Sequence, residues 1–206
     1  SYQFGWMYWR YFYWNFVGRQ NGDQGYFPWD KKDGHWLSGI KAIDSSRLYN
    51  QDQLPRVIRE NMARNTYYFL PLIFGILGVI FHFRKDRNDF LALLVMWLIT
   101  GLGLCFFNNS PPNEPRERDY VLVGSIFTFA IWVGLGVLFL VDLLRNRLHM
   151  ASGLSGGIAT AVVLTAPVIM GFQNFDDHSR NGITAARDYA INILESCQPN
   201  AIIFTY

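Results

Sequence analysis

Four long apolar runs constrain the fold of this 206-residue chain more than any other feature. They cover residues 66–83, 90–107, 120–144 and 154–175. A helix needs about 20 apolar residues to cross the hydrocarbon core of a bilayer, so the first two runs lie near the lower limit. A helix of a soluble bundle carries a polar face, and these runs have almost none. The sequence therefore predicts four membrane-spanning helices.

The segments on either side of the runs differ from them in composition. Residues 1–65 combine aromatic clusters with glycine, asparagine and aspartate, which predicts an aromatic interfacial helix and an irregular extracytoplasmic cap. In residues 176–206, a helix that Thr184 can cap precedes an apolar run typical of a buried strand. The predicted fold class is mainly α: a polytopic helical membrane protein with four transmembrane helices (66–175), an irregular cap and the start of a C-terminal α/β domain. Both ends are abrupt, which predicts a piece of a longer protein.

The charges beside the runs predict the orientation in the membrane. The loop 84–89 contains three basic residues, and the loop 145–149 contains two. Since cytoplasmic loops are enriched in Lys and Arg, both short loops are predicted to be cytoplasmic. The segments 1–65, 108–119 and 176–206 then share the extracytoplasmic side.

Small residues within the runs predict close helix packing, because lipid provides no hydrophobic force that would hold helices together. Pro167 is expected to kink the fourth helix. The glycines expected to serve this packing are Gly75, Gly78, Gly101, Gly103, Gly134, Gly136, Gly156 and Gly157.

Several functions are disfavoured by composition and motifs. The net charge is only +2 and the basic residues are dispersed, which argues against a nucleic-acid partner. Two cysteines in different settings indicate neither a disulfide framework nor a zinc site. The chain contains no HExxH, GxSxG, Walker or GxGxxG motif. His35 is predicted to be a solvated loop histidine, and the acidic candidates of the cap are Asp23, Asp30, Asp33 and Asp44.

The loop NNSPPNEPRERD between the second and third runs is the most informative short stretch. Its prolines stiffen it into an extended path, and four charges follow at the start of a membrane span. Arg116 and Arg118 could bind a phosphate of a lipid-linked molecule at that depth. Alternatively, they could pair with Glu114, Glu117 or Asp119 and mark the start of a helix.

The aromatic opening SYQFGWMYWRYFYWNF raises a second possibility. Ten of the residues from Tyr2 to Phe16 are aromatic, and Arg10 is the only charge among them. Helical spacing predicts one face for Trp6, Trp9, Arg10 and Tyr13, continued by Phe16 or Val17. This segment could anchor the chain at the membrane interface. It could instead line a sugar-lipid site, with rings stacking on sugar and Arg10 contacting phosphate.

Four stretches of the chain resemble the later membrane portion of one family of large Gram-negative bacterial membrane proteins. They are MYWRYFYWNFVGRQN, HWLSGI, PPNEPRERDYVLVGSIFTFAIWVGLGV and DDHSRNGITAARDYAINILESCQPNAIIFT. That family was formerly of unknown function and is grouped with GT-C-type glycosyltransferases, near the protein O-mannosyltransferases. The resemblance extends over nearly the whole chain.

The resemblance implies a multi-pass enzyme of the bacterial inner membrane that uses a polyprenyl-phosphate sugar on the periplasmic side. An Asp or Glu of an early extracytoplasmic loop would deprotonate the hydroxyl of a protein or glycan acceptor. Charge would develop on the departing lipid phosphate, where arginines or a divalent metal are expected; no other cofactor is evident. Because the early helices are not in this sequence, the catalytic base is expected elsewhere, and this piece alone is expected to be inactive.

The resemblance implies a donor phosphate, and the position of each residue in the sequence ranks the candidates that could bind it. The expected partners are membrane lipid, the lipid-linked sugar donor and the protein or glycan acceptor. No catalytic or metal-binding residue is assigned. The candidate substrate-binding residues are Arg116 and Arg118, with Glu114 and Asp119 to orient them, followed by Arg10 and its neighbour Trp9.

Two other function classes compete with the enzyme. The first is a non-catalytic inner-membrane scaffold subunit that holds a periplasmic domain within a larger envelope assembly. The second is a lipid-sugar transporter. A transporter is expected to bury charges at the middle of the membrane, and these runs lack them apart from edge residues such as Asp142.

Overall fold

A computed structural model describes residues 2–111, 119–179, 181–198 and 201–204, and it is mainly helical. A π-helical turn, Gln3–Tyr8, leads into the first helix, and a second π-helical stretch is Ile99–Gly103. Short 3-10 helices cover Gln51–Gln53 and Asp119–Leu122. The α-helices are α1 (Trp9–Phe16), α2 (Lys41–Arg47), α3 (Arg56–Arg59), α4 (Leu70–Lys85), α5 (Arg87–Leu98), α6 (Leu104–Asn108), α7 (Val123–Leu148), α8 (Ser152–His178) and α9 (Ala185–Ser196).

Three continuous helical stretches are long and apolar enough to cross a membrane: Arg87–Asn108, Tyr120–Leu148 and Ser152–His178. They confirm three of the four predicted spans by length and composition. The remaining run forms α4, which has only 16 residues, fewer than the roughly 20 that a full crossing needs. The count of four spans therefore stays a prediction. α8 continues without interruption through Pro167.

α4 is short because its predicted first residues belong to the cap. Strands β1 (Gly18–Arg19) and β2 (Asn65–Thr66) pair antiparallel, with Gly18 opposite Thr66. Tyr68 and Phe69 then adopt left-handed backbone angles, with φ of 53° and 59°, which a helix cannot continue. Pro71 lies in the first turn of α4, where a missing N–H costs nothing.

Glycines allow α4 and α7 to pack at very short distance. A Cβ atom added to Gly78 would overlap the carbonyl oxygen of Trp132, and one added to Gly75 would overlap the ring of Phe129. On the other helix, a Cβ at Gly136 would lie 2.5 Å from the carbonyl oxygen of Phe74. The predicted packing role is confirmed at these positions. At Gly134, Gly156 and Gly157 an added Cβ would meet nothing within 4 Å.

The helices give the molecule two different ends. The α4–α5 and α7–α8 turns lie together, since Arg84, Lys85 and Arg147 line one cavity. We call this the turn end. The cap, residues 2–66, lies at the other end, where Asn65 donates to Asn174 Oδ1 at 2.9 Å. We call this the cap end.

The aromatic opening packs against the membrane-spanning helices. The ring centroids of Phe12 and Phe16 lie 4.8 and 4.6 Å from that of Phe129. Tyr8 is fully buried, with its ring centroid 6.0 Å from that of Trp97. This inner face anchors the segment and leaves the opposite face of the helix for the cap.

The C-terminal segment contains the predicted helix but no strand in its described residues. α9 begins directly after Thr184 and is exposed along its length. Residues 201–204 belong to neither a helix nor a strand. A strand needs a neighbouring strand for its hydrogen bonds, and the described part of the chain supplies none beside this run. The α/β domain therefore stays a prediction.

Candidate functional site

A cleft of about 250 Å³ opens between the aromatic opening and the rest of the cap. Its aromatic lining comes from Trp6, Trp9 and Tyr13 of the opening segment and from Trp36 of the rest of the cap. The rings of Trp9 and Tyr13 stack, with centroids 5.9 Å apart. Trp6, Trp9, Arg10 and Tyr13 all line the cleft, so the prediction from helical spacing that they share one face is confirmed. Phe16 and Val17 do not line the cleft.

Arg10 lies at the inner wall of the cleft and is only 3% exposed. Its guanidinium carbon lies 4.7 Å from the ring centroid of Trp14 and 5.5 Å from that of Trp6. Because these residues are four positions before and after Arg10, one helical face carries all three. The Trp6 ring is fixed in turn, since its indole N–H donates to the carbonyl of Gly25 at 2.7 Å. The charge of Arg10 is thus held between two aromatic faces.

Arg47 brings a second guanidinium to the cleft. Its carbon lies 3.6 Å from the ring centroid of Trp36, and it donates to the Trp36 carbonyl. Burial lowers the pKa of Arg47 to about 10, and the nearby Asp44 carboxylate acts in the opposite direction. Arg47 is therefore still cationic at neutral pH.

His35 lies beside Arg47 and is 6% exposed, so the prediction of a solvated loop histidine is wrong. Its Nε2 lies 2.8 Å from the carbonyl oxygen of Asp30, and its Nδ1 lies 3.4 Å from Arg47 Nη1. A carbonyl oxygen only accepts, so Nε2 carries the proton and Nδ1 accepts from Arg47. Burial lowers the pKa of His35, which keeps the ring neutral at neutral pH.

Gln20 fixes the loop that carries Lys31, the third cation of the cleft. Gln20 is fully buried, and its side-chain amide donates to the carbonyls of Lys31 and Lys32 at 3.0 and 2.8 Å. Its Oε1 accepts from the backbone N–H of His35 at 3.2 Å. One buried amide thereby fixes the backbone of two lining residues of the cleft, Lys31 and His35, and the side chain of Lys31 is exposed.

Of the four acidic candidates of the cap, Asp44, Asp33 and Asp30 accept hydrogen bonds within the cap, and Asp23 is exposed. Asp44 is buried and accepts from Ser38 N, Ser38 Oγ and Gly39 N at 2.8–3.0 Å. Asp33 accepts from Asn21 Nδ2 at 2.8 Å. Among the residues that the structure describes, no carboxylate lines the cleft. The cleft can therefore bind an anion but offers no general base.

An apolar groove of about 580 Å³ adjoins the cleft on the membrane side. Trp9 lines both cavities. The groove lies between Phe4 and the π-helical stretch, where Ile99 is exposed, and its lining includes Phe106, which is 72% exposed. A molecule with a charged head and an apolar tail could occupy both cavities.

The structure places only some of the predicted site residues. Arg10 and Trp9 lie together in the cleft. Glu114, Arg116 and Arg118 lie outside the described residues, and the side chain of Asp119 is not described either. These four residues belong to the loop 108–119. The start of this loop lies at the cap end, since Gln3 Nε2 donates to Asn109 Oδ1 at 2.6 Å.

Sequence reasoning missed the lining residues that come from the cap beyond the aromatic opening. Lys31 comes from a loop, Trp36 from a bridge with Arg19, and Arg47 from the end of α2. No periodic pattern connects these positions. The tryptophan in HWLSGI was the available signal, because an isolated Trp in a polar loop often packs against other aromatics or cations.

Neither metal geometry nor similarity identifies a known site. In the described part of the chain, no group of three His, Cys, Asp or Glu residues could hold a metal ion. Comparisons with protein-family models, curated proteins and solved structures find no match to the chain. The family resemblance therefore stays a prediction.

Proposed function

We propose that this chain is part of a membrane glycosyltransferase that transfers a sugar from a polyprenyl-phosphate carrier to a protein or glycan acceptor. The observation that supports the proposal is the junction at Trp9 between a cationic aromatic cleft and an apolar groove. A lipid-linked sugar combines an anionic phosphate with a long apolar tail, and these two cavities meet both requirements.

The cleft is suited to the head of such a donor. Arg10, Lys31 and Arg47 supply positive charge from three different segments. Guanidinium groups bind phosphate oxygens with two parallel hydrogen bonds, and the partly buried site strengthens each interaction. The half-buried rings of Trp9 and Trp36 could contact the sugar. As the lipid phosphate departs, the same cations would stabilise its developing charge.

The groove is suited to the tail of the donor. It is lined by apolar side chains from the opening segment and from a membrane-spanning helix. A polyprenyl chain lying there would remain at membrane depth while its phosphate reaches the cleft past Trp9. The cap end would face the periplasm of a Gram-negative bacterium, and the basic turn end would face the cytoplasm.

One observation favours the scaffold as a second candidate. A sugar transfer of this kind needs a general base near the acceptor hydroxyl. The described lining of the cleft contains no carboxylate, and Asp44 and Asp33 are held by structural hydrogen bonds. The enzyme proposal therefore assigns donor binding to this cleft and the base to another part of the full-length protein.

The decisive experiment measures donor use by the full-length protein in lipid nanodiscs. Label transfer from a radiolabelled polyprenyl-phosphate sugar would be followed in the wild type and in the Lys31→Gln and Lys32→Gln variants. Lys31 lines the cleft, whereas its exposed neighbour Lys32 does not, so the two variants remove the same charge from adjacent positions. We expect the KM for the donor to rise about fivefold in Lys31→Gln, the effect of about 1 kcal/mol for a charge on a phosphate.

Lys32→Gln should leave that KM within about twofold of the wild type, a change typical of a surface charge. Equal effects of both variants would mean that general surface charge attracts the donor, and the cleft would lose its assigned role. If the full-length protein binds the donor but transfers no label to any protein or glycan acceptor, the scaffold is favoured instead.

A further inference from the structure

A second basic cavity lies at the turn end, away from the cap. It has a volume of about 460 Å³ and lies between the last turns of α4 and α7. Its cations are Arg84 and Lys85 from α4 and Arg147 from α7. The donor site proposed above makes no use of it.

Within the residues that the structure describes, no acidic side chain is paired with Arg84, Lys85 or Arg147. Asp142 also lines the cavity, so the lining contains three positive charges and one negative charge. Basic side chains in the last turn of a helix also interact favourably with its dipole. The helix dipole explains why each helix ends in basic residues, but it does not explain why the basic residues of α4 and α7 line the same cavity.

The inner part of the cavity is apolar. Phe81 and Phe139 are half-buried there, next to Leu143. The cations follow these residues towards the helix ends, at the level where a membrane-spanning protein meets the lipid headgroups. The cavity is therefore apolar at membrane depth and cationic at the membrane boundary. This arrangement is complementary to a phospholipid, whose acyl chains are apolar and whose phosphate is anionic.

We propose that this cavity binds one anionic phospholipid through its phosphate. Arg84 and Arg147 bind the phosphate oxygens from two sides, and Lys85 adds charge at the mouth. The first carbons of the acyl chains pack on Phe81 and Phe139. Asn146, next to Arg147 near the end of α7, is placed to accept a hydrogen bond from a hydroxyl group of a glycerol headgroup. Because two more cations than carboxylates line the cavity, a lipid with net negative charge is preferred to a zwitterionic one.

Native mass spectrometry of the full-length protein tests the proposal, with phosphatidylglycerol titrated into the detergent-purified sample. The dissociation constant of the first bound lipid would be measured for the wild type, Arg147→Gln and Arg145→Gln. Both arginines are exposed on the end of α7, but only Arg147 lines the cavity. We expect binding about fivefold weaker in Arg147→Gln, and a change below about twofold in Arg145→Gln.

Three results would overturn the proposal. Equal weakening in both variants would show that diffuse charge attracts the lipid. Equally tight binding of phosphatidylethanolamine or phosphatidylcholine would show that net charge is not recognised. Displacement of phosphatidylglycerol by millimolar inorganic phosphate, with no dependence on the acyl chains, would identify a site for free phosphate. The double variant Arg84→Gln/Arg147→Gln, checked for intact helical content by circular dichroism, should lose the preference for phosphatidylglycerol over phosphatidylcholine.

Discussion

The cap end and the turn end both present basic residues, but they hold them in different ways. At the cap end Arg10 is 3% exposed and lies between two tryptophan rings. Arg47 lies over Trp36 and donates to its carbonyl. At the turn end Arg84 and Arg147 are exposed and lack ion pairs within the described residues.

The difference shows what burial does to a charge. A buried cation loses hydration, so its position must be supported by rings, carbonyls and a fixed backbone. Such a charge is preorganised, and a ligand that meets it gains a strong interaction. An exposed cation keeps its hydration and its mobility, so it attracts an anion less strongly. We therefore expect the cap end to serve chemistry and the turn end to serve membrane attachment.

The largest effect expected at the cap end is on sugar transfer. Arg116 belongs to the proline-rich loop, and its residue type and interfacial position predict a contact with the departing phosphate. Arg116→Ala in the full-length protein should lower the rate of transfer about 100-fold, the loss typical for one group that stabilises developing charge. Arg145→Gln at the turn end should leave the rate unchanged. If an inserted and folded Arg116→Ala protein kept near-normal turnover, the assignment of chemistry to the cap end and membrane attachment to the turn end would be contradicted.

The second prediction compares how the ends are stabilised. Asp44 in the cap and Asp86 in the α4–α5 turn both accept backbone N–H groups. Asp44 is buried, so Asp44→Ala leaves buried donors without acceptors and should lower the free energy of unfolding by about 3 kcal/mol. Asp86 is exposed, and water can replace it, so Asp86→Ala should cost about 1 kcal/mol, as for other helix caps.

Denaturant unfolding of the full-length protein, followed by tryptophan fluorescence, measures both changes. The control is Asp52→Ala, which removes an exposed ion pair with Lys41 and should alter stability by no more than about 0.5 kcal/mol. Equal losses for Asp44→Ala and Asp86→Ala would contradict the view that the cap depends on buried hydrogen bonds.

The third and smallest expected effect is on pH dependence. The folded pKa of His35 lies below its ordinary value because of burial, so below about pH 6.5 the unfolded chain binds a proton that the folded cap does not. Stability should therefore be complete above that pH and decrease as the pH falls towards the folded pKa. Thermal unfolding between pH 7.5 and 5 should show the decrease.

His35→Gln should remove most of this acid-dependent loss, because a glutamine side chain does not titrate. His149→Gln, at the exposed turn end, is the matched control and should keep the loss seen in the wild type. If the His35→Gln protein loses as much stability in acid as the wild type, another group is responsible for the pH dependence of the cap.

Much of the membrane region could be predicted from the sequence, because its pattern is local. A run of about 20 apolar residues can form a helix in which the backbone N–H and C=O groups hydrogen-bond within the run, so its structure does not depend on distant segments. Three spans followed from this rule. The packing role of Gly75, Gly78 and Gly136 followed from a second local rule, that small residues allow helices in lipid to approach closely. The late start of α4 did not, since it depends on the pairing of β2 with a strand 46 residues earlier in the chain.

The candidate site could be predicted only in part. Helical spacing placed Trp6, Trp9 and Arg10 on one face, because that spacing is fixed within a single helix. The burial of His35 and the approach of Lys31 and Arg47 depend on Gln20 and Asp44, which hold irregular backbone in one arrangement. Hydrogen bonds of this kind carry no periodic signal in a sequence.

By itself, the sequence determined that this protein is helical, meets a membrane and has basic turns and an aromatic opening. These properties follow from composition and spacing over a few helical turns. Only the tertiary structure decided that the aromatic opening forms one wall of a cationic cleft and that Trp9 joins this cleft to an apolar groove. The physical reason is that such contacts depend on how loops and helices far apart in the chain are brought together, and local patterns do not encode that.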